Sequence, residues 1–398
     1  MTGYWPRPSR RSSANDTARG HSTAGRPAAV LTDAGVSTGS AAPNAARPRD
    51  GPLDFLRGVD VMLMLLVNFQ VAAAPAMLRH AAWHGLTLAD VVFPVFLFVV
   101  GMSASRAFDG RAAPMPWAAI ARRGALLFAI GVALGWCLRP DLDLDQLRWT
   151  GVLQRIAIVY LACAAILPIG RGLAVPLGLA LGIIAIHTVV LLYIGAPGSA
   201  PSLAPGAGIG GWLDRQLLPG RMSGGSWDAE GVQSTLPALA SGFLGIAFAR
   251  ASAAPGRASR LALAGALLVL GGLLAAQLIP INKNLWTASF VLVTAGIGAL
   301  AYAAASAAWP ALAAHAGARD FVAVGRAALT IYVIHMLVIA VLRLRPDGGD
   351  RIWDLLVAGL AAAGLSAMGA SLLFGILATI VCRLLLVPLQ RRGLLLRV

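Results

Sequence analysis

His80-Ala-Ala-Trp83-His84-Gly85-Leu-Thr87-Leu-Ala-Asp90-Val-Val-Phe93-Pro94-Val95-Phe-Leu-Phe-Val-Val-Gly-Met102 is the stretch on which the fold turns. Its second half is an unbroken apolar run, and its first half sets two imidazoles, an indole and a carboxylate at the edge of that run. Ionisable groups beside a hydrocarbon layer are costly unless they are partnered or used. The stretch therefore predicts a membrane helix with chemistry at its mouth.

The rest of the chain agrees. Of its 398 residues, 58% are hydrophobic and 12% charged, against about 25% charged in a soluble domain. The predicted class is all-α, a polytopic membrane helix bundle of about ten transmembrane helices. Windows of roughly 20 apolar residues, the length a hydrocarbon core of about 30 Å requires, fall at 58 to 78, 87 to 107, 119 to 137, 152 to 168, 173 to 194, 233 to 250, 260 to 280, 285 to 306, 325 to 343 and 367 to 387. Trp353 to Leu365 is apolar but short, and reads as interfacial or re-entrant. Residues 1 to 50, rich in Arg, Ser and Pro and lacking an apolar run, are expected to form a disordered cytoplasmic tail. Arg10-Arg11 is not followed by the apolar region of a twin-arginine signal.

A net charge of +15 could suggest a nucleic-acid surface, but the arginines lie between apolar segments rather than in one stripe. Membrane topology accounts for them better, and no nucleic-acid partner is expected. With the N-terminus inside, most of the 32 Lys and Arg residues fall on the inner side, so both termini are expected to be cytoplasmic. His80, His84, the long loop of 196 to 232 and the turn Asn282-Lys283-Asn284 then share the outer face. Cys137, Cys163 and Cys382 all fall in apolar segments without paired spacing, which points to free thiols and to neither a disulfide nor a metal site.

Several residues inside or beside these segments call for partners. Asn68, near the outer end of the first span, is an amide in an apolar helix and needs one. His80 and His84 are both candidate general bases, and both also fit an interfacial aromatic belt with Trp83. Asp90, about one turn into the second span, needs a histidine or an arginine. At the inner mouth, Arg57 beside Asp54 reads as a cation for an anionic ligand or as a snorkelling arginine with a capping acid. Gln154 and Arg155 open the fourth span, where Arg155 could hold a phosphate or carboxylate or pair with the acids of residues 141 to 145. Asp228 and Glu230 precede the sixth span and fit a helix start; a divalent metal there has few further ligands nearby. Asn282, Lys283, Asn284 and Trp286 crowd one turn, which also suits an ordinary solvated connection. Tyr332 and His335 lie nearly one turn apart and could reach the same cavity, whereas His187 reads as a hydrogen-bonded core histidine.

Taken in order, Leu53-Asp54, Arg57-Gly58, Val67-Asn68, His80-Ala-Ala-Trp83-His84-Gly85, Asp90-Val-Val-Phe93-Pro94, Gly151-Val-Leu-Gln154-Arg155, Glu230-Gly231, Ser234-Thr235-Leu-Pro237, Pro280-Ile-Asn282-Lys283-Asn284-Leu-Trp286, Tyr332 and His335 resemble the membrane domain of the heparan-alpha-glucosaminide N-acetyltransferase family and its bacterial relatives. The resemblance makes residues 51 to 398 a transmembrane acyltransferase domain in the inner (plasma) membrane. It implies that acetyl-CoA, or another acyl-CoA, is taken from the cytosolic side and that the acyl group passes to an amine or hydroxyl, of a sugar, on the outer side. It selects His80 over His84 as the base and Asn68 as its companion; Asp90, from the cost of a carboxylate in a span, is expected as an orienting or structural partner. Arg57, with Arg122 or Arg123, would hold CoA phosphates, and no metal is called for. Expected partners are membrane lipid, acyl-CoA and a periplasmic or surface glycan acceptor, with a homodimer left open.

Two other readings compete. Ten-helix polysaccharide O-acyltransferases share the Leu-Asp-x-Leu-Arg-Gly opening but place a histidine where this chain has Asn68. A transporter of anionic sugar or lipid intermediates would use Arg155 and Asp90, but no inverted repeat is visible in the hydropathy pattern.

Overall fold

The computed structural model describes residues 49–111, 113–138, 146–252 and 258–396. The tail expected at 1 to 50 lies almost wholly outside these residues, as do the acids of 141 to 145. Among the described residues thirteen α-helices follow one another: α1 (Gly51–Asn68), α2 (Leu88–Phe108), α3 (Trp117–Cys137), α4 (Val152–Ile166), α5 (Ala174–Tyr193), α6 (Ile209–Leu217), α7 (Val232–Ala251), α8 (Ala258–Ala275), α9 (Ala288–Leu312), α10 (Ala316–Arg326), α11 (Ala328–Leu342), α12 (Ile352–Ala362) and α13 (Ala367–Arg391). The described residues contain no strand, only an isolated bridge between Arg148 and Gly220. The protein is an all-helical, multi-pass membrane bundle.

Each of the ten apolar windows meets a helix, but not all meet a full span. Seven helices (α2, α3, α5, α7, α8, α9 and α13) are long and apolar enough to cross a membrane, and α10 with α11, bent by 81°, form a broken span or a re-entrant loop. α1 falls short because Asp54, Arg57 and Asp60 interrupt it, and α4 because it has only 15 residues. The first window, 58 to 78, is also displaced. Asp50 caps the helix by accepting the Leu53 N–H at 3.1 Å, with Pro52 in the first turn, so α1 starts at Gly51. It ends at Asn68, and Val71 to Pro75 is irregular despite its apolar content. The short apolar segment at 353 is helix α12, with Trp353 packed on Phe374 of α13 at 5.3 Å between ring centroids.

The bundle is layered. α2, α7 and α9 are mostly buried, while α3, α5, α8 and α13 turn most of their surface outward. On α8 the outward side chains include Leu263, Leu267, Leu270 and Leu274, which suits a helix whose outer face meets lipid rather than water. Close backbone contact fixes the centre. Gly101 of α2 lies against the Gly242 carbonyl of α7, and Gly245 of α7 lies against the Phe98 carbonyl, so a Cβ on either would collide with backbone. Small residues let membrane helices approach this closely. Gly58 and Gly325 do the same for α1 and α10. The three cysteines are free.

Candidate active site

Asp90 is the third residue of α2, and at that position a carboxylate can reach back to the N-terminal backbone. Its Oδ2 accepts the Thr87 N–H at 3.1 Å, the Thr87 hydroxyl at 3.0 Å and the Ala81 N–H at 3.0 Å. The other oxygen, Oδ1, lies 2.8 Å from His80 Nδ1. Asp90 is 1% exposed whereas the His80 side chain is 47% exposed. A buried carboxylate that takes the Nδ1–H fixes the tautomer and leaves Nε2 as the unprotonated ring nitrogen.

Lys283, some 200 residues away in sequence, completes the group. Its Nζ is 3.1 Å from His80 Nδ1, 3.2 Å from Nε2 and 3.8 Å from Asp90 Oδ1. Near-equal distances to both nitrogens place the amine over the ring rather than on one lone pair. Burial draws the Lys283 ammonium below the ordinary lysine range; the charges of Glu230 and Asp90 oppose the shift and Arg155 adds to it.

The turn that carries Lys283 is rigidly built. Asn282 is fully buried, and its Oδ1 accepts the Leu285 N–H at 2.8 Å while its Nδ2 donates to His84 Nδ1 at 3.2 Å. The Gly85 N–H donates to the Ile281 carbonyl at 2.8 Å, tying the His80 loop to the same turn. Trp286, which closes the turn, has a positive φ of 54°, rare for a bulky residue. It is held there by burial: the indole N–H donates to Ser241 Oγ at 3.3 Å, Phe93 and Phe290 meet the ring edge to face, and the Arg155 guanidinium lies 4.8 Å above it.

Beside this turn, Trp83 donates to the Leu203 carbonyl at 2.8 Å and meets Trp227 edge to face at 4.9 Å. These two indoles, with Asn284, Gln233, Asp214 and glycines of 206 to 211, line a cavity of about 20 Å³, room for about one water.

The acids before α7 are committed elsewhere than the sequence suggested. Asp228 and Glu230 converge on Arg148, with Asp228 bound through both oxygens at 2.8 and 2.6 Å. Burial works against both charges, but the pairing wins: the Arg148 guanidinium is held above its ordinary value and Asp228 below the usual carboxylate range. Asp214 of α6 accepts the Asp228 and Val232 N–H groups, each at 2.9 Å, and burial raises its carboxyl. Arg155 does not reach these acids through a hydrogen bond. It is 1% exposed, donates to Ser234 Oγ at 2.6 Å, and leaves Nε and NH1 without a partner.

The remaining expected residues lie apart from the His80 group. Asn68 is the last residue of α1 and is exposed, because the helix stops there instead of running on to residue 78. Its neighbour Val67 packs with Leu78 and Ala89, which brings the end of α1 beside the His80 loop and the start of α2. Arg57 is paired with Asp54 at 2.8 Å and with Ser103 at 2.6 Å; Arg326 takes the other Asp54 oxygen at 3.0 Å. Arg123 lies over the Tyr160 ring. Gln154 is buried against Gly131 and Gly151. Tyr332 and His335 are buried in α11, the His335 ring edge to face with Phe69 and without a hydrogen-bond partner, as is that of His187. Sequence reasoning passed over Arg148, Asp214 and Trp227. Arg148 was hidden among topology-setting arginines, and Trp227 among loop residues.

Residues 49–197 match the family model described as heparan-alpha-glucosaminide N-acetyltransferase, catalytic. The heparan-alpha-glucosaminide N-acetyltransferase of Homo sapiens is 35% identical over 131 residues, covering 31% of this chain and 20% of the human protein. That of Mus musculus is 34% identical over 122 residues, covering 29% and 18%. The chain thus spans about a fifth of the length of the curated relatives it matches. By its ordered motifs and by this match over residues 49–197, the chain is similar to the heparan-alpha-glucosaminide N-acetyltransferase family.

Proposed function

We propose that the protein is a membrane acyltransferase that moves an acetyl or other short acyl group from cytosolic acyl-CoA to an amine or hydroxyl of a sugar at the outer face. The observation that carries this reading is the His80–Asp90 pair under Lys283. A solvent-facing imidazole, oriented by a buried carboxylate, is the equipment of a general base. Acyl transfer requires such a base to deprotonate the acceptor and a donor to meet the oxyanion that forms on the acyl carbon. In this reading His80 Nε2 takes the acceptor proton, Lys283 Nζ faces the developing oxyanion, and Asp90 stabilises the imidazolium. Asn68, at the rim, is assigned to hold the acyl carbonyl, and the Trp83–Trp227 wall to receive the acceptor.

Support on the donor side comes from the other end of α1. Arg57 and Arg326 share the single carboxylate of Asp54, so the cluster keeps an excess of positive charge suited to CoA phosphates. With that end cytoplasmic and the His80 end outside, in a cell membrane, the reaction would cross the bilayer.

The test is acyl-CoA turnover by the purified protein against a panel of amino sugars. Transfer that disappears in His80→Ala, with thermal unfolding unchanged, is the expected result. Undiminished transfer in that variant would remove His80 from the mechanism. Absence of acyl-CoA binding, together with uptake of an anionic sugar into proteoliposomes, would replace the enzyme by a transporter.

A further inference from the structure

Lys283 is the only lysine in the chain, and its amine lies within 3.2 Å of both nitrogens of His80. Its side chain keeps 17% of its surface exposed, beside a His80 ring that is 47% exposed. Any acyl carbon close enough to be served by His80 is therefore within reach of Nζ as well. The same base that would deprotonate an incoming acceptor stands in contact with an amine that never leaves.

We propose that Lys283 is itself an acyl acceptor: when no external acceptor is present, its amine takes the acyl group from acyl-CoA and the site switches itself off. The inference rests on the reading of His80 as the base for acyl transfer. In the step, Nζ as free amine attacks the thioester carbonyl, a C–N bond forms and the C–S bond breaks. The proton released from Nζ passes through His80 to the departing CoA thiolate. The products are an N-acyl lysine and free CoA, with no change of oxidation state. Burial favours the free amine that this attack needs, whereas Asp90 and Glu230 favour the ammonium. Once acylated, the side chain loses its charge and becomes an amide wedged against His80 and Asp90. It can no longer stabilise an oxyanion, and it occupies the acceptor's place.

The full chain in detergent, incubated with acetyl-CoA and no amine, tests this. Free thiol release, acetylation of the peptide containing Lys283, and residual transfer activity are followed together. The expected result is acetyl-Lys283 that accumulates with time, falls to background in His80→Ala and in the urea-unfolded chain, and is suppressed by whichever amino sugar of the panel is acetylated. Residual activity should fall in proportion to the modified fraction. CoA release in the amine-free incubation with Lys283 unmodified overturns the inference and leaves the acyltransferase reading standing. Equal acetylation in the folded and the unfolded chain overturns it too, as background chemistry. No CoA release and no modification overturns both.

Discussion

Asp90 holds His80 with the same carboxylate that starts α2: one oxygen lies 2.8 Å from the imidazole while the other gathers the N–H groups of Ala81 and Thr87. Helix, loop and base are thereby joined at one buried charge.

Asp90→Asn retains the shape and one acceptor for the backbone but loses the charge that stabilises an imidazolium. Transfer should fall by about 10²- to 10⁴-fold, the range of a lost acid–base partner, mainly in kcat. Stability should drop by only about 1 kcal/mol, the cost of a weakened helix start. Steady-state kinetics with thermal unfolding separates the two; wild-type kcat would reduce Asp90 to a helix cap.

Lys283 should react with an amine-directed reagent at a lower pH than an ordinary lysine, because burial disfavours its charge. The sign follows directly: a depressed value means that the free amine appears earlier as pH rises. Labelling of the one lysine against pH reads this out, and a profile matching a free lysine would contradict the buried placement.

Arg148→Met leaves Asp228 and Glu230 without their cation. Breaking a buried pair costs about 3–5 kcal/mol, and because Arg148 is partly exposed we expect the low end, about 3 kcal/mol. Adding Asp228→Asn should recover part of the loss. A double variant no more stable than Arg148→Met alone would show that the pair is not what holds this loop.

Acid should loosen the same loop. Asp228 is held below its unfolded value, so its stabilisation is present above the ordinary carboxylate range and is lost as pH falls through the depressed value. The melting temperature of the wild type should decline toward low pH more steeply than that of Asp228→Asn. Parallel curves would assign the acid sensitivity elsewhere.

Trp286→Gly sets two effects against each other. It relieves a positive φ, worth about 1–3 kcal/mol, and it empties a fully buried site, which costs about 3–5 kcal/mol for a large aromatic. Packing should win, and the variant should be less stable with reduced transfer, since the Lys283 turn loses its anchor. A stabilised variant would mean the strain dominates.

The sequence made some of this legible and hid the rest for physical reasons. The cost of a carboxylate one turn into an apolar helix pointed to a histidine or an arginine as partner for Asp90, and the structure pairs it with His80. Periodicity located the apolar helices but misjudged α1, because hydropathy weights Val71 to Ala74 and ignores the Asp50 cap that sets the helix start. Asn68 was therefore expected inside a span and lies exposed at a helix end. Nothing local could place Lys283 over His80, or turn Arg148 rather than Arg155 toward Asp228 and Glu230. Such contacts are decided by how distant helices pack.

The glycine contact between α2 and α7 has a consequence for the far end of the bundle. Gly101 lies eleven residues beyond Asp90, roughly 16 Å along the helix at 1.5 Å per residue. α2 delivers the carboxylate and α7 carries in its first turn the Ser234 that holds Arg155, so both walls of the site hang from one backbone seam between α2 and α7. A single methyl group added there works as a wedge in a pair of tongs: it changes no side chain of the site and spreads the jaws that carry them.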